Sequence, residues 1–241
     1  MIPFRDSVPA RRYPVVTIAI IVVNVLVFIY QLTMGSPRQM QAFVYTFGMI
    51  PARLTAGEMF AQYDLPSFGL TMVTSMFLHG GLAHLFGNML YMWVFADNVE
   101  DRMGAWRFAF FYLICGVGAG LVHILFNPGS TVPTIGASGA VSGVLGAYLL
   151  LYPKARVLVL VPLLLIWPVI ELPAMLVLGI WFLLQLLSGT SSLGAEQVGG
   201  VAWWAHVGGF LIGFLLVHFF DQRDNHKHED YWYAHWQDRD R

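Results

Sequence analysis

The chain has 241 residues, of which 57% are hydrophobic and only 11% charged, with a mean hydropathy of +0.64. An average soluble domain is about 25% charged, so this composition excludes a disordered chain, a nucleic-acid binder and an ordinary soluble enzyme. A net charge of −1 provides no global field to attract a polyion, and the lone Cys115 excludes a disulfide framework or a thiolate metal cage.

The missing charge is concentrated in stretches. No Asp, Glu, Lys or Arg lies between Tyr13 and Pro37, Leu65 and Ala96, Phe108 and Pro153, or Gln197 and Phe220, and Glu171 alone interrupts Val157 to Ala195. A helix needs roughly 20 apolar residues to cross a bilayer. The pattern therefore predicts an all-α fold, a polytopic membrane helix bundle with six transmembrane helices.

In chain order, residues 1–13 read as a cytoplasmic N-terminal segment and 14–33 as the first span. That span is too long for the apolar core of a signal peptide, and no clear small-residue cleavage site follows it. The large first loop, 34–77, is rich in Phe, Met and Tyr and is expected to lie partly in the interface. Spans two, three and four are expected at 78–96, 106–126 and 135–152, with the Asp97–Arg102 run capping and solvating the end of the second. Val157 to Leu187 is too long for one span and too short for two, and Pro162, Pro168 and Pro173 interrupt it. Residues 157–167 are therefore read as an apolar surface connector, the fifth span as 168–187 and the sixth as 200–220. A charged tail, 221–241, follows; its His226, His228 and His235 read as solvated rather than as a metal site. Residues 14–220 form one domain.

Six spans put 11 of the Lys and Arg residues on the side of the two termini and only Arg38 and Arg53 on the other. The positive-inside rule then makes both termini cytoplasmic. The expected location is a multi-pass position in a bacterial cytoplasmic membrane.

Polar side chains at membrane depth are costly and are candidate functional groups. Ser138 opens the fourth span, His206 comes early in the sixth, and His84 and Asn88 stand one turn apart on the second. Spans two, four and six run in the same direction, so all four residues fall in one layer below the outer surface. Gly139 with Gly143, and Gly209 with Gly213, have the spacing that lets two helix backbones approach closely. Packing those faces together brings the Ser138 hydroxyl to the His206 imidazole. A serine needs a base to become a nucleophile, and a neutral imidazole can be that base and later protonate the leaving amine. His84, Asn88 and the Ser138 backbone N–H are candidate donors to an oxyanion. No Asp or Glu is placed as a third member, so a dyad is expected, its imidazole oriented by packing or by a neutral hydrogen bond. His79, His123 and His218 read as structural or packing residues. Glu171 is read as lying on the fifth span, paired with a backbone group or water.

These motifs resemble those of the rhomboid intramembrane serine proteases. The matching residues are His79, His84 and Asn88 in one run, Gly136-Ala137-Ser138-Gly139, and His206-Val207-Gly208-Gly209 with Gly213. The resemblance implies Ser138 as nucleophile, His206 as general base, and His84, Asn88 and the Ser138 amide as the oxyanion hole. It also implies cleavage of transmembrane protein substrates in or beside their membrane segments, without metal or cofactor; the topology sets the opening of the site on the outer side of the bilayer. Two features depart from the family pattern: the first loop has no Trp-Arg pair, and Ser142 stands where many members carry an aromatic residue. A catalytically inactive rhomboid-like membrane binding protein and a small transporter are the alternatives. A zinc protease would need HExxH, which is absent, and an aspartyl protease would need two Asp residues well inside spans. Spans two and five, the first loop and residues 194–200 are candidate gates to the site.

Overall fold

The computed structural model describes residues 1–56, 66–161, 167–192 and 201–222. The long helices are α1 (Val15–Leu32), α5 (Leu82–Met103), α6 (Ala105–Phe126), α7 (Ser138–Leu151), α8 (Ala174–Ser191) and α9 (Trp203–Phe220). Between α1 and α5 lie the shorter α2 (Pro37–Phe47), α3 (Ala52–Thr55) and α4 (Phe68–Thr74). Among the described residues, four helices, α1, α6, α8 and α9, are long and apolar enough by themselves to cross a membrane. Helix α5 has 22 residues but carries Asp97, Glu100, Asp101 and Arg102 near its C-terminal end. Helix α7 has only 14 residues and is buried on every side from Gly139 to Tyr148. It is the central element, with α5, α6, α8 and α9 packed around it, so protein rather than lipid covers it. The outward faces are apolar, with Trp106, Leu125 and Phe219 among the most exposed side chains. That arrangement suits a bilayer and would be costly in water.

Small residues set the closest helix contact. A Cβ added at Gly209 would stand 2.0 Å from the Gly139 carbonyl oxygen, and one at Gly213 2.0 Å from that of Gly143. Gly104, at φ 78°, is the single residue between α5 and α6 and caps both.

The Asp97–Arg102 run does more than solvate a helix end. Glu100 is 4% exposed and accepts hydrogen bonds from the Val16 and Thr17 amides, at 2.9 and 2.7 Å, and from the Thr17 hydroxyl. It thereby supplies the N-terminal cap that α1 lacks in its own sequence, with a negative charge at the positive end of the helix. Arg102 forms a two-pronged ion pair with Asp221 at 2.8 and 2.6 Å, tying the end of α5 to the end of α9. These carboxylates and the guanidinium are turned toward other chain segments, which excludes the simple solvated face expected of them.

Of the expected connector 157–167, residues 157–160 belong to a strand, and residues 162–166 lie outside the described residues. Strands β1 (Ile2–Asp6), β2 (Arg156–Leu160) and β3 (Val169–Pro173) form an antiparallel sheet in that order. Val157 and Val159 are fully buried, whereas Arg156, Leu158 and Leu160 are not. This alternation with β-branched residues is a strand signal inside an apolar run. Helix α8 accordingly starts at Ala174, after Pro173, rather than near Pro168. Glu171 lies in β3 and is exposed, not in a span. The N-terminal segment is drawn into the fold, with Ile2 paired to Leu160 and Asp6 to Val157. Asp6 accepts hydrogen bonds from the Tyr148 hydroxyl and from Asn98. Burial pushes its carboxyl up to about 7, against the lowering effect of the tyrosine.

Much of the first loop is helical. Ser36 caps α2 by accepting from the Gln39 amide, and Ser67 caps α4 by accepting from Leu70. Met49 and Thr134 exchange backbone hydrogen bonds at 3.1 and 2.7 Å, holding the loop against the segment that leads into α7. Residues 57–65 of this loop, the candidate gate at 194–200, and His226, His228 and His235 of the tail lie outside the described residues.

Candidate active site

Ser138 is the first residue of α7, where helix amides have no partner within the helix. The preceding turn requires glycine. Gly136 has φ 122°, and a Cβ there would stand 2.7 Å from the His84 ring and 3.7 Å from Asn88 Nδ2. Its amide donates to the Ser75 carbonyl at 2.9 Å, which fixes the turn from the opposite side.

The structure brings Ser138 and His206 together, with Oγ and Nε2 2.8 Å apart. The contact exists because α7 and α9 approach at their glycines, beginning at Gly139, next to Ser138, and at Gly209, about one turn after His206. His84 and Asn88 project from α5 toward the same turn. The Gly80 amide donates to His84 Nδ1 at 3.4 Å, which leaves the proton on Nε2, the nitrogen beside Gly136. Asn88 Nδ2 donates to His79 Nε2 at 3.0 Å and has a second hydrogen to offer. All four residues line one cavity of about 790 Å³, which also takes in Trp181, Gln185 and Trp203.

Two hydrogen-bonding contributors escape a motif-by-motif reading. Gln185 on α8 accepts from His206 Nδ1 at 2.8 Å, the neutral hydrogen bond that the missing carboxylate left open. Its signal is a lone amide between the apolar runs Trp181-Phe182-Leu183-Leu184 and Leu186-Leu187. Gln31 on α1 is fully buried and grips the backbone of His79, accepting from its N–H at 3.0 Å and donating to its carbonyl at 3.1 Å. His79 is thus held from behind and in turn holds Asn88. His123 is buried in α6, and His218 is exposed on the last turn of α9. Ser142 donates its hydroxyl to the Ser138 carbonyl at 2.6 Å, and the rings beside His206 come from Trp181 and Trp203.

Fold and site together define a class: a polytopic helical membrane protein with a serine–histidine pair inside the bundle. A family model described as the Rhomboid domain matches residues 68–223. The chain belongs to the rhomboid family. Among its relatives, RHOMBOID-like protein 6, mitochondrial, of Arabidopsis thaliana is 31% identical over 145 residues, 60% of this chain and 41% of that protein. Rhomboid protein 1, mitochondrial, of Saccharomyces cerevisiae is 29% identical over 162 residues, 65% of this chain and 43% of that protein. Rhomboid protease GluP of Bacillus subtilis is 40% identical over 78 residues, 32% of this chain and 15% of that protein. The chain spans less than half the length of each of these three relatives.

Proposed function

We propose that this chain is an intramembrane serine endopeptidase that hydrolyses peptide bonds in or next to the transmembrane segments of substrate proteins. The observation that carries the reading is the 2.8 Å contact between Ser138 Oγ and His206 Nε2 inside a cavity of the bundle. The rhomboid protease named among the relatives supports it. The catalytic unit covers residues 14–220, and the distribution of Lys and Arg favours cytoplasmic termini with the site opening on the other side.

The proposed cycle starts from that contact. Ser138 Oγ attacks the scissile carbonyl carbon while its proton passes to His206 Nε2. The electron pair displaced from the carbonyl π bond resides on the oxyanion, to which His84 Nε2–H, Asn88 Nδ2–H and the Ser138 amide would donate. The dipole of α7 favours negative charge at the same end. Collapse of the tetrahedral intermediate breaks the C–N bond, and the imidazolium protonates the leaving amine. Water then loses a proton to Nε2 as it attacks the ester, and Ser138 leaves with that proton restored.

A serine-directed phosphonate probe is expected to label the wild-type protein in liposomes and not Ser138→Ala. A wild-type protein that stays unlabelled would favour the inactive or transporter alternative. Asn88→Ala should lower kcat by ~10²–10³, the usual cost of one oxyanion donor, as measured by steady-state cleavage of a transmembrane reporter. A change confined to KM would assign Asn88 to substrate binding instead.

A further inference from the structure

We propose that Gln185 is the positioning residue of the dyad: its amide oxygen holds the proton on His206 Nδ1 and so keeps Nε2 bare toward Ser138. The inference rests on the assignment of His206 as the general base.

Ser138 can donate its proton only to an unprotonated Nε2. A neutral imidazole in that tautomer carries its hydrogen on Nδ1, and an N–H turned into an apolar interior needs an acceptor. Gln185 Oε1 is that acceptor, at 2.8 Å. Among the described residues, the titratable groups that act electrostatically on His206 are His84 from α5 and His123 from α6. The ring neighbours Trp181 and Trp203 offer only an indole N–H, a donor.

The placement of Gln185 is specific. It lies four residues after Trp181, one turn along the same face of α8, so this face presents both an aromatic ring and an amide to the imidazole. The side chain is 8% exposed, which restricts its freedom. Helix α7 carries Ser142 rather than an aromatic residue at this point, and its hydroxyl donates to the Ser138 carbonyl. The base is therefore flanked by Gln185 and Trp181 of α8 and by Trp203 of its own helix.

A neutral amide suits the location. An ionised carboxylate at membrane depth is expensive, whereas an amide oxygen accepts the Nδ1 hydrogen without carrying a full charge. Its dipole also favours the imidazolium formed when the Ser138 proton arrives. The reversed amide would donate to Nδ1, force the imidazole hydrogen onto Nε2 and leave Ser138 without a base. The same side chain therefore has a productive and an unproductive orientation, and the observed bond is the productive one.

The test compares wild type with Gln185→Met, Gln185→Glu, Ser138→Ala and His206→Ala in liposomes, reading kcat, KM and the pH profile of kcat/KM, with thermal unfolding to check folding. Gln185→Met keeps the length and removes the acceptor; its kcat is expected to fall about tenfold, the rate equivalent of one neutral hydrogen bond, with KM within about twofold. Gln185→Glu accepts the same hydrogen and should restore activity above that of Gln185→Met. Its carboxylate stabilises the imidazolium, so the acid limb of the profile should move to higher pH. A Gln185→Met enzyme with wild-type kcat would overturn the role of Gln185, as would a Gln185→Glu enzyme no more active than Gln185→Met with an unmoved acid limb. If the two alanine variants are inactive in those cases, the dyad stands and only the positioning role falls. Cleavage by Ser138→Ala or His206→Ala would remove the dyad itself, and Gln185's role with it.

Discussion

Ser138→Ala and His206→Ala are each expected to abolish cleavage of a transmembrane reporter substrate, by a factor on the order of 10⁴ or more. The first removes the atom that would bond to the substrate. The second leaves the Ser138 hydroxyl without the partner now 2.8 Å away. Combining the two should cost little more than either alone, because nucleophile and base act as a unit. Ser138→Ala deletes one hydroxyl at a helix start and should leave the unfolding temperature near that of wild type, separating loss of chemistry from loss of fold. Undiminished cleavage in either single variant would refute the dyad.

Gly213→Ala is expected to destabilise the bundle by about 3 kcal/mol, at the upper end of the usual range for overpacking. The added methyl would stand 2.0 Å from the Gly143 carbonyl oxygen and 2.5 Å from its carbon. Those atoms are backbone within a helix buried on every side and cannot turn away as a side-chain end can. Helices α7 and α9 would have to separate, and with them Ser138 and His206. A displacement of about 1 Å at reacting groups costs ~10²-fold in rate, so activity should fall along with stability. Gly179→Ala on α8 is the control: nothing lies within 4 Å of its added Cβ, and removing a mid-helix glycine is stabilising by roughly 0.5–1 kcal/mol where space allows. Thermal unfolding in detergent and cleavage in liposomes measure both effects. A Gly213→Ala protein with wild-type stability and activity would show that the helices are not held at this distance.

The helices were legible because hydropathy is a local property. The stretch 14–33 contains α1 at Val15–Leu32, and 106–126 closely matches α6 at Ala105–Phe126. The region from Val157 to Pro173 misled for a related reason. A short apolar run has the same composition whether it lies in an interface or pairs as a strand, and β1, its partner, is about 150 residues earlier in the chain. Glu171 was misplaced with it, because a late helix start turns the residues before Pro173 into a strand. The acidic run at the end of α5 looked like a solvated face, since sequence cannot show that the start of α1 and the end of α9 converge on it.

The sequence by itself determined that the chain belongs in a membrane. It also named the neutral groups, Ser138, His206, His84 and Asn88, that stand out at depth once charge is nearly absent. Tertiary structure alone decided how those groups are held. Gln31 reaches His79 across 48 residues, and Gln185 reaches His206 across 21. A glutamine in an apolar helix shows no partner in its local pattern. The partner is set by which helices pack together, and here that packing is governed by backbone contact at Gly139, Gly143, Gly209 and Gly213.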